Sequence, residues 1–433
     1  MTTRIIADYL SPMDDAMSIH APGFVDVDEG RVTAIGSLAS APVLPETAHI
    51  EPVGGLLLPG LVNDHAHSPM TVLRGAGEGL PLDRWLKEVI WPRESRLTPG
   101  DVEAGMVVGS AEMLRNGITT TNEMYFFPEA VAAGATLTGI RCFVGAAIIE
   151  GLDRFGTPDE QIAGALALRQ ARSEDDLAEI AFAPHSAYAL GDDSLRRIGA
   201  TAVAEDILVH IHLAETDSEG ASIADRTGRT VPEHLADLGV LEARVLAAHC
   251  VWLTDGDIAL LAAHQVGVAH CPGSNGKIAS GLAPVTAIRA AGLPVGASTD
   301  GPGSNNNLDL LEEARLALLY ARLRERDADA LGVEDALRMV TSEAALALGR
   351  TDIGALVPGA WADIARISLD RPEYEPIAEA RDVLSHLMWA GSSRDVTDVW
   401  VAGKRVVADG QMTTVDLEAA RHKVREIAKR IAD

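Results

Sequence analysis

Hydrophobic residues run along this chain with two periods. Near the start, residues 23–28 (Gly-Phe-Val-Asp-Val-Asp) alternate, Glu29-Gly30 forms a turn, and 31–36 alternate again, which predicts a β-hairpin. The same texture returns at 362–367 and at 396–407, with Ala402-Gly403-Lys404 as a turn. Neither end is long enough to bury a good core alone. The two ends are therefore expected to pair as one small β domain, residues 1–55 with 357–415.

The middle of the chain alternates between strand and helix patterns. Eight apolar runs are predicted strands, at 56–62, 118–123, 141–149, 180–184, 207–212, 244–250, 266–270 and 294–299. Between them, Thr98 and Pro99 cap a helix over 101–116 that Gly117 stops. Further helices are predicted at 308–324, 334–348 and 416–432, and the acidic run Glu174-Asp175-Asp176 as a solvated helix start. Eight such alternations predict a (β/α)8 TIM-type barrel over residues 56–356, beside a small β-sandwich built from both chain ends and a C-terminal helix over 416–433. A doubly wound open sheet is the alternative, but no Gly-x-Gly-x-x-Gly follows the first strand.

Composition narrows the function classes. The 433 residues are 47% hydrophobic and 23% charged, as in a soluble globular protein. With 63 acidic and 36 basic residues the net charge is −27, which argues against electrostatic binding of nucleic acid. There is no basic leader with an apolar stretch and no run of membrane-spanning length. Cys142, Cys250 and Cys271 are too scattered for a disulfide framework or zinc knuckle, so a reducing cytoplasm is the expected compartment. A homo-oligomer is compatible with all of this.

The chemistry gathers at the predicted strand ends. Strand one runs out in His65-Ala66-His67, strand four in His185, strand five in His212 with Glu215 beyond it, strand six in His249 and strand eight in Asp300. A barrel brings those ends to one mouth. Histidines two apart on a strand share a face. Three imidazoles and a carboxylate suit zinc or another borderline divalent ion with a position left for water.

Several stretches carry a family resemblance. They are Pro59 to His67, Trp85-Leu86, Trp91-Pro92-Arg93-Glu94, Glu123 to Glu129, Ala183 to Tyr188, His210 to Thr216, Ala248-His249-Cys250, His270 to Asn275 and Ser298 to Asn306. Together they resemble the amidohydrolase superfamily, in its branch of aminohydrolases acting on adenosine-type and related heterocycles, and within it the 5′-methylthioadenosine/S-adenosylhomocysteine deaminases.

The resemblance implies roles. His65, His67, His212 and Asp300 correspond to ligands of one Zn2+ per chain, with Fe2+ or Mn2+ as alternatives. Asp300 would also take a proton from water, Glu215 would act as the acid/base, and His249 would polarise the water. His185 would touch the purine, Glu94 would hold the ribose hydroxyls and Trp85 would wall the pocket. Members that take S-adenosylhomocysteine use arginines after strand three for its carboxylate. Here Ala146 stands at the first such position and Arg154 at the second, which favours a small apolar 5′ group.

Other residues read as structural. His210 is expected to be packed and hydrogen-bonded, His270 to support either the centre or the core, and Trp91, Phe126 and Phe127 to pack. The expected activity is zinc-dependent hydrolytic deamination of a small-molecule nucleoside. The alternatives are a hydrolase of an s-triazine or oxidised purine, for which a ribose-binding Glu94 has no task, and a non-catalytic metal-binding scaffold.

Overall fold

The computed structural model describes residues 2–175 and 177–432. Eight parallel strands form one sheet in sequential order: β1 (Leu61–Ala66), β2 (Ile118–Tyr125), β3 (Arg141–Ile148), β4 (Ala178–Pro184), β5 (Val209–Leu213), β6 (Val245–His249), β7 (Gly267–His270) and β8 (Val295–Ala297). The sheet closes on itself where Ala66 bridges Asp300 and the Asp300 N–H donates to the His65 carbonyl at 3.1 Å. Closure leaves no strand edge in the barrel. With helices packed outside, it is the predicted (β/α)8 fold.

The ends of the chain supply two further sheets. Arg31–Ser37, Gly23–Asp28, Thr3–Ala7 and His49–Pro52 make a four-stranded sheet. The other has six strands, in the order Gln411–Met412, Lys404–Ala408, Val396–Val401, Ile364–Ile367, Leu56–Pro59 and Tyr9–Leu10. Ile5, Val25 and Val32 from the first sheet share a core with Leu57, Ile364 and Trp400 from the second, giving a sandwich. Both predicted hairpins form. The second turns through Ala402 and Gly403 at φ 47° and 73°, the left-handed pair that a two-residue hairpin turn requires. Arg141 in the barrel and Asp363 in the sandwich, each 2% exposed, tie the two parts together at 3.0 Å.

Three sequence expectations change. The predicted strand 56–62 is two strands, because Leu56–Pro59 pairs with Ile364–Ile367 in the sandwich and only Leu61 onward joins the barrel. Gly60 makes the crossing, where a Cβ would lie 2.1 Å from the Thr119 side chain. The predicted helix 334–348 breaks into Val333–Arg338 and Ser342–Ala347. Between them, the carbonyls of Met339 and Val340 turn away from the helix to accept the N–H groups of Ala297 in β8 and Val62 in β1, at 2.7 and 2.9 Å. The acidic run lies in the turn after helix Pro158–Ala171 and starts no helix: Asp175 accepts from Arg172 at 3.0 Å, and Asp176 lies outside the described residues.

The C-terminal helix spans Leu417–Ala432. No helix among the described residues is long and apolar enough to cross a membrane.

Candidate active site

At the C-terminal mouth of the barrel, four side chains from distant parts of the chain converge. His67 Nε2 lies 3.3 Å from His212 Nε2 and 3.2 Å from Asp300 Oδ1. His65 Nε2 lies 3.3 Å from the same Asp300 oxygen, is buried, and has no hydrogen-bond partner among the described residues. Four ligands about 2.0–2.1 Å from a tetrahedral ion stand about 3.3 Å apart. The observed spacings match that edge length.

Backbone and side-chain partners fix the tautomers. The Met124 carbonyl sits 2.6 Å from His67 Nδ1, and the His185 carbonyl 2.7 Å from His212 Nδ1. A carbonyl can only accept, so each Nδ1 carries the proton and each Nε2 points inward with a free lone pair. His65 Nδ1 meets His210 Nε2 at 2.7 Å, so His210 is a packed, hydrogen-bonded neighbour. Burial pushes His65 down to about 3 and His212 well below the usual imidazole range, which keeps both neutral as metal binding requires. Burial would also lower His67, but contact with Asp300 outweighs it and raises that imidazole. Burial would raise Asp300, yet His65 and His67 hold it well below the carboxylate range. The centre therefore favours one cation, and its donor set fits a zinc-like ion.

Asp300 is held from behind. Its Oδ2 accepts the hydroxyls of Ser274 and Ser304 at 2.6 and 2.7 Å, and its Oδ1 accepts the Gly301 N–H at 2.7 Å. His249 Nδ1 donates to Asn275 Oδ1 at 2.9 Å, which turns Nε2 toward Glu215 Oε2 at 3.9 Å. His249 and Asp300 both adopt left-handed backbone, φ 73° and 57°. Non-glycine residues rarely do so, and such strain concentrates where a strand must re-aim a side chain. Burial raises the Glu215 carboxyl above the ordinary carboxylate range, with His249 opposing the shift and Asp300 adding to it.

A pocket of about 700 Å³, counted to its mouth, opens over this centre. Glu94 and His185 line it with Glu215, His249 and Asp300. Glu94 lies at the end of helix Trp91–Glu94, buried, with Oε1 accepting the Tyr125 hydroxyl at 2.8 Å. Burial pushes its carboxyl up to about 7. Trp85 lines the pocket and anchors its indole N–H on the Ala76 carbonyl at 2.9 Å.

Trp91, packed against the core as expected, and Phe126, which stacks on Phe155 at 4.3 Å, line the pocket as well. Arg154 is placed otherwise than expected. Its guanidinium donates to the carbonyls of Ser95 and Leu97 and lies over Phe127 and Phe155, so it braces the segment after Glu94 and does not line the pocket. Ala146 is buried. His270 is buried at the end of β7, below the pocket lining.

The sequence reading missed Tyr125, Ser274, Asn275 and Ser304. Ser274, Asn275 and Ser304 sit inside the quoted stretches at 270–275 and 298–306, but a serine or amide that braces another side chain has no spacing signature of its own.

The chain resembles known proteins along nearly its whole length. The chain is 37% identical over 399 residues to the 5′-deoxyadenosine deaminase of Methanothermobacter thermautotrophicus, covering 91% of each chain. It is 38% identical over 423 residues to a 5-methylthioadenosine/S-adenosylhomocysteine deaminase of Pelotomaculum thermopropionicum, covering 97% of this chain and 96% of that one. The crystal structure of an adenosine deaminase from Xanthomonas campestris with bound zinc superposes with a TM-score of 0.95 at 36% identity, covering 99% and 98%. The amidohydrolase family pattern matches residues 56–406. With its histidine and aspartate centre at the mouth of a closed barrel, the chain belongs to the amidohydrolase family and is a hydrolytic enzyme acting on C–N bonds.

Proposed function

We propose that this enzyme is a zinc-dependent deaminase of adenosine-type nucleosides, releasing ammonia and the inosine analogue, with 5′-methylthioadenosine preferred and 5′-deoxyadenosine, adenosine or S-adenosylhomocysteine as further substrates. One observation carries the reading. One pocket is lined by His67, His212, Asp300 and Glu215, with buried His65 against the same Asp300 oxygen, and also by a buried carboxylate, Glu94. A planar triazine has no use for Glu94, whereas a ribose offers it two hydroxyls. The relatives named as deaminases of such nucleosides support the same reading.

His65, His67, His212 and Asp300 would hold the ion, which supplies the Lewis acidity that makes water nucleophilic near neutral pH. The residues of the chain do the rest. His249 hydrogen-bonds the attacking water through Nε2 and orients it. Asp300 accepts its proton. Glu215 donates a proton to the ring nitrogen as the amine-bearing carbon becomes tetrahedral, then carries a proton to the leaving amine. His185 sits against the purine, its imidazole kept neutral because burial lowers it to about 4. Glu94 accepts the ribose hydroxyls, and Trp85 and Trp91 wall off water. The barrel carries these groups, while the sandwich built from both chain ends and the C-terminal helix Leu417–Ala432 support it. Ala146 is buried, Arg154 is engaged on backbone carbonyls, and among the described residues no guanidinium lines the pocket, which favours the methylthio substituent over a tail ending in a carboxylate.

An ammonia-release screen over adenosine, 5′-deoxyadenosine, 5′-methylthioadenosine, S-adenosylhomocysteine, guanine and an aminotriazine tests the reading. Turnover confined to the triazine or to guanine would replace it.

A further inference from the structure

The catalytic pocket continues outward into a second chamber. The two share Leu82, Leu86, Trp91, Ile149 and Tyr188 as walls, and the outer one measures about 1340 Å³ including its mouth. Its charged lining is Asp83, Lys87, Glu150 and Glu219. Asp83 and Lys87 neutralise each other at 2.6 Å. Glu150 is exposed; it accepts the Gly191 N–H at 2.9 Å and the Ser194 hydroxyl, and no cation pairs with it among the described residues.

Glu219 is 4% exposed. Its Oε2 accepts the Glu215 N–H at 2.9 Å, which caps the start of helix Asp217–Thr227. Its Oε1 is buried and has no hydrogen-bond partner among the described residues. The backbone N–H groups of Glu215 and Ala214 engage this carboxyl at the helix start, while no side chain among the described residues donates to Oε1. A buried carboxyl oxygen with no donor is costly unless something brings one. Arg154, two residues past the chamber-lining Leu152, spends its guanidinium on Ser95 and Leu97.

Resting on the deaminase reading, we propose that this chamber receives 5′ substituents longer than methylthio and, among tails of that length, prefers one ending in an ammonium over a neutral one, and a neutral one over a carboxylate, with Glu219 as the specificity-determining residue. With the base at the histidine centre and the ribose on Glu94, the chamber continues the pocket beyond the sugar. An alkylammonium brings donors to Glu219 Oε1, and Glu150 attracts it at longer range. A carboxylate in the same place meets Glu150 and Glu219, and Lys87, the one basic side chain of the lining, is already paired with Asp83. Burial pushes Glu219 up to about 8, and a cation beside it draws the carboxyl back to its ionised form.

The test uses zinc-loaded enzyme and three 5′-thioadenosines that differ at the tail: 2-aminoethyl, propyl and carboxymethyl. At pH 7 the aminoethyl compound should exceed the propyl one in kcat/KM by roughly tenfold, the size of one charge-assisted hydrogen bond, and the carboxymethyl compound should fall below both. In Glu219→Gln the amide oxygen still accepts the Glu215 N–H, and the aminoethyl preference should collapse to within about twofold. Glu150→Gln should trim a smaller share. The wild-type ratios decide the charge preference even if a variant fails to accumulate. Equal efficiencies in the wild type, a preference for the carboxylate, or an undiminished ratio in Glu219→Gln would overturn the inference. Turnover of 5′-deoxyadenosine, which has no tail, separates the two readings. If it is deaminated while the tails show no ranking, only the chamber inference falls. If no adenosine nucleoside is turned over, the deaminase reading falls and takes this one with it.

Discussion

His67 and His212 lie 145 residues apart in the chain, yet their Nε2 atoms are 3.3 Å from each other. Their Nδ1 protons are held by the carbonyls of Met124 and His185. Two inward lone pairs at that spacing repel unless a cation lies between them.

The first prediction concerns that cation. His65→Ala together with His67→Ala removes two of the four donors, so zinc content measured by elemental analysis should fall from about one ion per chain to near zero. Melting of the wild-type protein should move to higher temperature with added zinc, and the double variant should not respond, because only a bound ion stabilises by mass action.

Glu215→Gln keeps the shape and loses the proton carrier. Turnover should drop by about a hundredfold or more while zinc content stays at the wild-type value. Near-normal turnover would show that another group moves the proton.

Glu94 separates ribosides from their deoxygenated analogues. Each hydroxyl bond to a carboxylate is worth about 1.5–3 kcal/mol and a ribose offers two, so Glu94→Ala should lower kcat/KM on 5′-methylthioadenosine by about a hundredfold to ten-thousandfold. The 2′,3′-dideoxy analogue should lose much less. Equal losses on both would remove Glu94 from the ribose site.

The pH dependence follows from burial of the same residue, which lifts Glu94 from the ordinary 4.5 to about 7. It accepts hydroxyl protons best as a carboxylate. The kcat/KM on ribosides should therefore climb as pH rises through about 7 and then level, a limb missing from the dideoxy analogue. Stability runs the other way. A raised carboxyl pKa means that the folded chain holds the proton more tightly, so this contribution is complete below about 4.5 and is lost as pH rises to about 7. Glu94→Gln should accordingly raise the melting temperature at pH 8 and leave it little changed at pH 4.

The barrel and the sandwich are joined by a buried charge pair. Arg141 meets Asp363 at 3.0 Å, and Asp363 Oδ1 also accepts the Ala402 N–H at 2.7 Å. Arg141→Ala strands that carboxylate without its cation and should cost about 3–5 kcal/mol in chemical denaturation. A loss below about 1 kcal/mol would mean that water reaches Asp363.

Much of this architecture was legible in the sequence because barrel strands are buried on both faces and read as continuous apolar runs. Polar residues at their ends then stand out, which is how His65, His67, His212 and Asp300 could be placed at one mouth. The errors have a common origin. Strand 56–62 hides a change of sheet at Gly60, since apolar runs look alike whichever sheet they join. Helix 334–348 hides the break at Met339 and Val340, because the carbonyls that cap β8 and β1 leave no mark in side-chain periodicity. Trp91 and Phe126 line the pocket, yet an aromatic against a ligand and one against the core have the same local sequence. Tyr125 holds Glu94 and Asn275 holds His249, and only the folded chain makes those pairs visible.

The proposed chemistry is deamination of an adenosine nucleoside in one zinc-loaded pocket. The direct measurement is ammonia released from 5′-methylthioadenosine by the wild-type protein as prepared with zinc, after chelation, and after zinc is restored. The account predicts one ammonia for each inosine analogue formed, loss of activity on chelation and its return with zinc. No ammonia from the zinc-loaded protein, or full turnover by the chelated protein, would contradict it.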